Sequence, residues 1–297
     1  MQVIRLILLT VLLAITTDSG AQESLSSNLG SGSDFIMHDS LPMSIRLIEK
    51  AFVDQTEVVF CPAGIERSSQ DDRKKRFAFY WESKYNNIYF RNNKGIVYEG
   101  MNEHGFSASL LFLENNELPP REKGLIPIAA SLALNFFIDH FKSVDTALLA
   151  IWDIRIYDDT GNGWPFRIVL HDTTGATAIV EYINGSRQVY TPESPAFVVA
   201  GPEYERLIEL AYIPDRSPEK DIEKLYLDFI RTDFPPNSPL LLMQYYMEYF
   251  IDQEYYSFFR YPADKEIIVL TPGGDEAVFK FSEAEFIPGE EVSVRFF

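Results

Sequence analysis

The chain has 297 residues, with 44 acidic and 26 basic side chains and a formal net charge of −18. Binding of a polyanion needs clustered Lys and Arg, and the sequence shows no basic stripe, so the charge balance argues against a nucleic-acid partner. The composition, 46% hydrophobic and 24% charged, is typical of a folded globular protein and argues against an intrinsically disordered chain.

The first 21 residues have the pattern of a secretion signal. Arg5 gives a short positive start, residues 6–15 form an apolar run, and residues 19–21 read S-G-A, which fits the small-residue rule for signal peptidase. We therefore expect cleavage after Ala21 and export of the mature chain to the periplasm or the medium. No later stretch approaches the roughly 18 uninterrupted apolar residues of a membrane-spanning helix, so no membrane span is predicted.

The Ser- and Gly-rich segment at residues 22–33 predicts a flexible linker, and residues 34–297 are predicted to form one domain. Strands are predicted at residues 35–37, 43–47, 57–61, 76–82, 107–113, 167–171, 177–182, 188–191, 197–200, 266–271 and 277–281. Helices are predicted at residues 126–141, 143–151, 203–212, 219–231 and 240–250. Blocks of strands that alternate with blocks of helices favour an α+β architecture, in which helices lie outside two antiparallel sheets.

Two local signals within this pattern are specific. Residues 172–175 read D-T-T-G between two strand patterns, which predicts a hairpin. Ser143 directly precedes a helix pattern that carries Asp145 in its first turn, which predicts a helix capped by the serine hydroxyl.

Cys61 is the only cysteine, so it cannot form an internal disulfide. Its thiol is either a nucleophile or a small buried hydrophobic group, and its place at the end of the strand pattern E-V-V-F-C favours burial. The histidines share no metal-ligand spacing, so neither a metal nor another cofactor is predicted; they are His38, His104, His140 and His171.

Four segments carry a resemblance to a known family. Residues 97–113 read VYEGMNEHGFSASLLFL, residues 60–67 read FCPAGIER, residues 81–85 read WESKY, and residues 172–182 read DTTGATAIVEY. In this order and spacing they resemble the choloylglycine hydrolase family, which includes bile salt hydrolases and penicillin V acylases. The resemblance covers roughly residues 34–297. It implies the αββα four-layer sandwich of two antiparallel sheets found in N-terminal-nucleophile (Ntn) hydrolases.

The resemblance also implies a mechanism. A cysteine at the N-terminus attacks a linear amide, its own α-amine serves as the base, and an oxyanion hole stabilises the intermediate. An arginine lowers the pKa of the thiol, and an aspartate three residues later orients the amine. Arg46 matches this arginine, and Glu49 stands at the aspartate position with a side chain one methylene longer.

Other positions depart from the family pattern. Sixteen residues before Arg46, where the resemblance places the nucleophile, stands Gly30. The oxyanion asparagine of the family aligns with Ala200, and no arginine is obvious near Lys220, where the family has its second one. Asn102, in the segment GMNEHGF, is a candidate for contact with a substrate, and hydrogen bonding within its own loop is the alternative.

Three hypotheses follow. The first is a catalytically impaired relative that binds a small-molecule amide or acyl ligand. The second is an active amidase whose nucleophile is Ser31 or Ser33; signal cleavage leaves Gln22 first, so this needs a second cleavage. The third is a scaffold or interaction protein without a small-molecule pocket. The resemblance also raises the expectation of a homo-oligomer.

Overall fold

The computed structural model describes residues 33–37, 42–49, 56–69, 78–93, 95–113, 116–120, 124–159, 166–192, 196–199 and 255–295. The predicted signal peptide, most of the linker and the helices predicted over residues 203–250 lie outside this set. Among the residues described, no helix is long and apolar enough to cross a membrane.

Strands dominate the described residues. In chain order they are β1 (Ser33–Met37), β2 (Met43–Glu49), β3 (Glu57–Cys61), β4 (Glu66–Ser69), β5 (Phe79–Glu82), β6 (Asn87–Arg91), β7 (Val97–Asn102), β8 (Ser107–Phe112), β9 (Ile126–Ala129), β10 (Ile154–Tyr157), β11 (Phe166–His171), β12 (Thr177–Ile183), β13 (Ser186–Tyr190), β14 (Ala196–Val199), β15 (Tyr255–Tyr261), β16 (Glu266–Leu270), β17 (Glu276–Lys280) and β18 (Val292–Arg295). The helices are α1 (Ala133–His140) and α2 (Val144–Ala150), and short 3-10 turns precede α1 and follow α2.

Two large sheets form the framework. The six-stranded sheet has the order β14-β1-β2-β15-β16-β17, and the eight-stranded sheet has the order β13-β12-β11-β8-β7-β6-β3-β18. Every neighbouring pair in both sheets is antiparallel. This confirms the α+β fold with two antiparallel sheets.

The sheets face each other through their central strands. Phe90 on β6 meets Phe258 on β15 edge to face, with ring centroids 4.9 Å apart, and Tyr98 on β7 approaches the same ring at 6.2 Å. Aromatic pairs in this geometry add to the free energy of burial. These three side chains are almost wholly buried, so the space between the sheets is a packed interior.

Helix α1 covers the other face of the eight-stranded sheet. Successive residues of a strand point to opposite faces, and Glu99 contacts the six-stranded sheet while its neighbour Gly100 lies under α1. A Cβ atom at Gly100 would stand 2.9 Å from Cδ1 of Ile138. Glycine therefore allows the helix to approach the sheet closely at this position.

Two of the specific sequence predictions are confirmed. β11 and β12 pair across the D-T-T-G turn, with His171 opposite Thr177. Ser143 is the N-cap of α2, and its hydroxyl accepts a hydrogen bond from the backbone N–H of Thr146 at 3.4 Å.

The helix predicted at residues 126–141 is wrong in its first part. Residues 126–129 form β9, which pairs in parallel with β10, and α1 begins only at Ala133. Ile126 and Ile128 are β-branched and favour a strand, and Pro127 is tolerated because β9 is an edge strand of a two-stranded sheet.

Candidate functional site

Arg46 lies on β2, at the centre of the six-stranded sheet, and its side chain is fully buried against the eight-stranded sheet. Its Nη1 donates to Oε2 of Glu99 at 3.0 Å and to the carbonyl oxygen of Tyr98 at 2.5 Å. Its Nη2 donates to the carbonyl oxygen of Leu110. The guanidinium predicted to serve catalysis is thus held on both terminal nitrogens by groups of the opposite sheet.

Glu99 is shared between two arginines. Its second oxygen, Oε1, accepts from Nη1 of Arg260 on β15 at 3.2 Å, and the same Nη1 lies 3.2 Å from the hydroxyl oxygen of Ser109. Glu99 and Ser109 are directly opposite each other on β7 and β8. A buried charge is tolerated only when it is paired and hydrogen-bonded, and this shared carboxylate supplies that pairing to Arg46 and Arg260.

The pairing of β1 with β2 defines which residue stands beside Arg46. Asp34 lies opposite Arg46, and Ser33 lies opposite Leu47. Gly30 and Ser31 fall outside the described residues, so the nucleophile role predicted for Ser31 stays a prediction. The structure thus places an aspartate, and neither cysteine, serine nor threonine, at the strand position that faces Arg46.

Two further predicted site residues are only partly placed. Glu49 is the last residue of β2 and lies opposite Tyr255 on β15. Ala200, at the position aligned with the family's oxyanion asparagine, lies outside the described residues, directly after the end of β14. The roles of both residues remain predictions.

Asn102 is buried at the end of β7, and its side chain forms hydrogen bonds with four backbone groups. Its Nδ2 donates to the carbonyl oxygens of Ile138 at 2.8 Å and Phe141 at 2.6 Å, at the C-terminal end of α1. Its Oδ1 accepts from the backbone N–H groups of His104 and Phe106, at 3.0 and 3.3 Å. Both donor hydrogens are occupied, so this geometry agrees with the loop-bonding alternative, while a contact with substrate remains a prediction.

Cys61 lies in the eight-stranded sheet, on β3, and is fully buried. Burial raises the pKa of its thiol to about 12, although the positive charge of Arg67 works in the opposite direction. Nη2 of Arg67 lies 3.3 Å from Sγ. The prediction of a buried cysteine is confirmed.

Across the described residues, no group of three or more His, Cys, Asp or Glu side chains could hold a metal ion.

Comparison with known proteins decides the family. Residues 46–215 match the family model of the linear amide C–N hydrolases, choloylglycine hydrolase family. This chain belongs to the choloylglycine hydrolase family. Penicillin V acylase of Pectobacterium atrosepticum is 24% identical over 182 residues, which make up 57% of this chain and 48% of that enzyme. The chain therefore aligns with about half the length of this relative.

Solved structures of the family share the fold. Penicillin V acylase from Agrobacterium tumefaciens superposes with a TM-score of 0.69 at 17% identity, over 89% of this chain and 91% of its own. Two variants of conjugated bile acid hydrolase from Clostridium perfringens give TM-scores of 0.70 and 0.68 at 11% and 12% identity, over 90% of this chain and 97% of theirs. At these identities the likeness supports the Ntn-hydrolase fold and nothing finer.

The sequence analysis of this choloylglycine hydrolase family member did not identify Glu99 and Arg260 as residues of the site. Both are charged residues in strands of mostly buried side chains: β7 is buried throughout, and residues 256–260 of β15 are buried. A single charge in such a strand is a signal for a paired interior charge, because an unpaired one is too costly to bury. The strand pattern at β7 was obscured by Gly100 and Asn102, which are rarely found in strands.

Proposed function

We propose that this chain keeps the fold of the choloylglycine hydrolase family without its cysteine-dependent hydrolysis, and that it binds an amide or acyl ligand. The observation that carries the proposal is the register of β1 and β2. The position of β1 opposite Arg46 holds Asp34, and the only cysteine, Cys61, lies on β3 in the other sheet, so no thiol stands beside this arginine on β1.

The state of the only cysteine supports the proposal. The thiolate is the reactive form of cysteine, and burial holds the pKa of Cys61 at about 12, so the thiol stays protonated near neutrality. Cys61 is also the last residue of β3 in the eight-stranded sheet, whereas Arg46 belongs to the six-stranded sheet. A substitute nucleophile at Cys61 would therefore act without the predicted arginine.

The engagement of Arg46 supports the proposal as well. Both of its terminal nitrogens donate to Glu99 or to backbone carbonyls, and it is fully buried. An arginine that lowers the pKa of a nucleophile must present its charge to that group. Here Arg46 forms an ion pair with the carboxylate of Glu99, whose negative charge offsets its effect.

A second candidate is an amidase with an N-terminal serine. Ser33 is the first described residue of β1 and directly precedes Asp34, so cleavage before Ser33 would create a free amine and a hydroxyl one residue from the position opposite Arg46. Ser31 lies two residues further upstream in the sequence. This candidate requires trimming beyond the cleavage after Ala21 that we propose for export.

One experiment separates the candidates. The exported protein is purified, and its N-terminus is determined by intact mass and N-terminal sequencing. It is then incubated with penicillin V and with conjugated bile acids, the compounds in the names of its relatives, and the released amine is measured. Binding of the same compounds is followed by calorimetry. Size-exclusion chromatography with light scattering of this sample tests the expected homo-oligomer.

The outcomes are distinct. Saturable binding without amine release, from a chain that starts at Gln22, is the expected result. Amine release from a chain that starts at Ser33, abolished in Ser33→Ala but kept in Ser31→Ala, would establish the amidase. Amine release that disappears in Cys61→Ala would contradict both candidates, since neither uses this thiol. Absence of both binding and amine release would overturn the ligand-binding proposal and favour a scaffold role.

A further inference from the structure

The C-terminal strand β18 has little packing of its own. It is the edge strand of the eight-stranded sheet and pairs with β3 alone among the described strands. Val294 is 52% exposed, and Ser293 and Arg295 are also exposed. Edge strands with so little buried apolar surface open locally at low cost in free energy. A separate interaction must therefore hold β18 in place.

That interaction is made by Glu291, the residue directly before β18. Its Oε1 accepts from Nη2 of Arg67 at 2.7 Å and from the hydroxyl of Tyr89 at 2.9 Å. The guanidinium of Arg67 also lies over the ring of Tyr89, 5.6 Å from its centroid. One carboxylate thus receives an ion pair from Arg67 on β4 and a hydrogen bond from the hydroxyl of Tyr89 on β6, and both bonds are charge-assisted.

Arg67 is itself firmly anchored. Its Nε donates to Oδ2 of Asp139 at 2.8 Å. Asp139 lies buried in α1 and also accepts from Nε1 of Trp81 at 2.8 Å and from Nδ2 of Asn87 at 2.9 Å. The position of Arg67 is therefore fixed by the helix and the sheet whether or not Glu291 is bound.

The same cluster covers the thiol. Val292 pairs with Phe60, so in the antiparallel register Glu291 is placed at the level of Cys61. Nη2 of Arg67, the donor to Glu291, lies 3.3 Å from Sγ of Cys61. Cys61 is 0% exposed, and its thiol is hydrogen-bonded to the carboxylate of Glu291, so departure of Glu291 would remove one of the groups packed against the sulfur.

We propose that residues 291–295 form a strap, held closed by the contact of Glu291 with Arg67 and Tyr89, whose local opening exposes the thiol of Cys61. The strap is a conformational device at the edge of the eight-stranded sheet. Because Cys61 is the only cysteine, its rate of modification reports how often the strap is open.

The test uses the untruncated mature protein. Cys61 is alkylated in the native state, and mass spectrometry measures the rate of alkylation. Glu291→Gln keeps the size of the side chain and removes its charge, so the strap should open more often, and alkylation should become faster on the order of tenfold or more. Tyr89→Phe removes one hydrogen bond and should give a smaller increase. The matched control is Glu290→Gln, which changes the exposed neighbouring residue and should leave the rate unchanged.

Hydrogen exchange separates strap opening from general loosening of the fold. In Glu291→Gln, amide exchange should accelerate in the peptide that contains β18 and stay unchanged in the peptide that contains β2. Equal alkylation rates in Glu291→Gln and the unmodified sequence would overturn the proposal. So would equally fast alkylation in Glu290→Gln, or exchange that rises to the same extent in β2 and β18.

Discussion

Arg46 and Glu99 meet in the interior between the two sheets, with Nη1 of the arginine 3.0 Å from Oε2 of the glutamate, and both side chains are fully buried. The second oxygen of Glu99 is 3.2 Å from Nη1 of Arg260. A guanidinium keeps its charge in proteins, so two buried cations depend on this single carboxylate for part of their compensation. Glu99 therefore ties the central strands β2 and β15 to β7.

Replacement of Glu99 should test this dependence. Glu99→Gln removes the charge but keeps the shape, and leaves Arg46 and Arg260 buried beside a neutral amide. Breaking a buried ion pair on one side typically costs about 3–5 kcal/mol of stability. We expect a loss of this size in the free energy of unfolding, measured by urea denaturation at neutral pH.

The same substitution at an exposed pair provides the control. Glu57 on β3 pairs with Arg91 on β6 at 2.7 Å, but the two side chains are 41% and 32% exposed. Exposed pairs contribute at most about 1 kcal/mol, so Glu57→Gln should have a small effect. Equal losses for the two variants would show that burial of the Glu99 pair has no special energetic weight.

Asn102 gives a second prediction. In Asn102→Asp, a carboxylate replaces the amide nitrogen that donates to the carbonyl oxygens of Ile138 and Phe141. Both carbonyls lose their donor and face a negative charge, so we expect a loss of at least about 2 kcal/mol and faster amide exchange at the end of α1. Thermal unfolding and hydrogen exchange measure the two effects.

The control for this change is Asn92→Asp. Oδ1 of Asn92 accepts a hydrogen bond from the backbone N–H of Ile96 at 3.1 Å, a role that an aspartate can keep. Its effect on unfolding should therefore be the smaller of the two. If Asn102→Asp were as mild as Asn92→Asp, the amide donors of Asn102 would not be holding α1.

Much of the fold could be predicted from the sequence, because hairpin and cap signals are local. The turn after His171 and the cap at Ser143 depend on neighbouring residues and agree with the structure. Residues 126–129 were predicted as helix because the apolar run continues into α1. The pairing partner that makes them a strand, β10, lies about 25 residues later, and no local pattern reveals it.

The site could be predicted only in part, because its geometry depends on contacts between sheets. Arg46 was predicted as a site residue from a motif, but the motif does not show that its guanidinium forms an ion pair with Glu99. Counting sixteen residues back from Arg46 leads to Gly30, whereas strand pairing leads to Asp34. Spacing along the chain equals position in a sheet only when the connecting turn has a fixed length.

His140 predicts a dependence of stability on pH. Burial lowers the pKa of its imidazole from 6.5 to about 4; the hydrogen bond to the carbonyl of Phe136 works against this shift, and the charge of Lys84 adds to it. The imidazole of His140 therefore takes up a proton near pH 6.5 in the unfolded chain, but only near pH 4 in the folded chain. Stability should fall as the pH drops through this interval, and His140 should add no further loss below it.

The size of this effect is about 1–2 kcal/mol, once the partial solvent exposure of His140 is allowed for. Urea unfolding at about pH 8 and about pH 5 measures it, in the unmodified sequence and in His140→Gln. The variant lacks the titrating group, so its stability should change less between the two conditions. Subtracting the stability change of the variant from that of the unmodified sequence cancels the contributions of the other titrating groups. Equal stability changes in both proteins would rule out His140 as the source of the pH dependence.

Replacement of Gly105, in the segment GMNEHGF, should destabilise the fold for two independent reasons. Its φ is +76°, which disfavours any residue with a side chain, and a Cβ atom there would stand 2.2 Å from the carbonyl oxygen of Pro262 and 2.6 Å from Cγ2 of Thr173. Gly64 has a similar φ of +89° but nothing within 4 Å of its Cβ position. Gly64→Ala should therefore cost about 1–2 kcal/mol from backbone strain alone, and Gly105→Ala at least about 2 kcal/mol more, because backbone atoms must move. Thermal unfolding of the two variants measures the difference, and equal losses would mean that the turn at Gly105 does not pack against Pro262 as the structure shows.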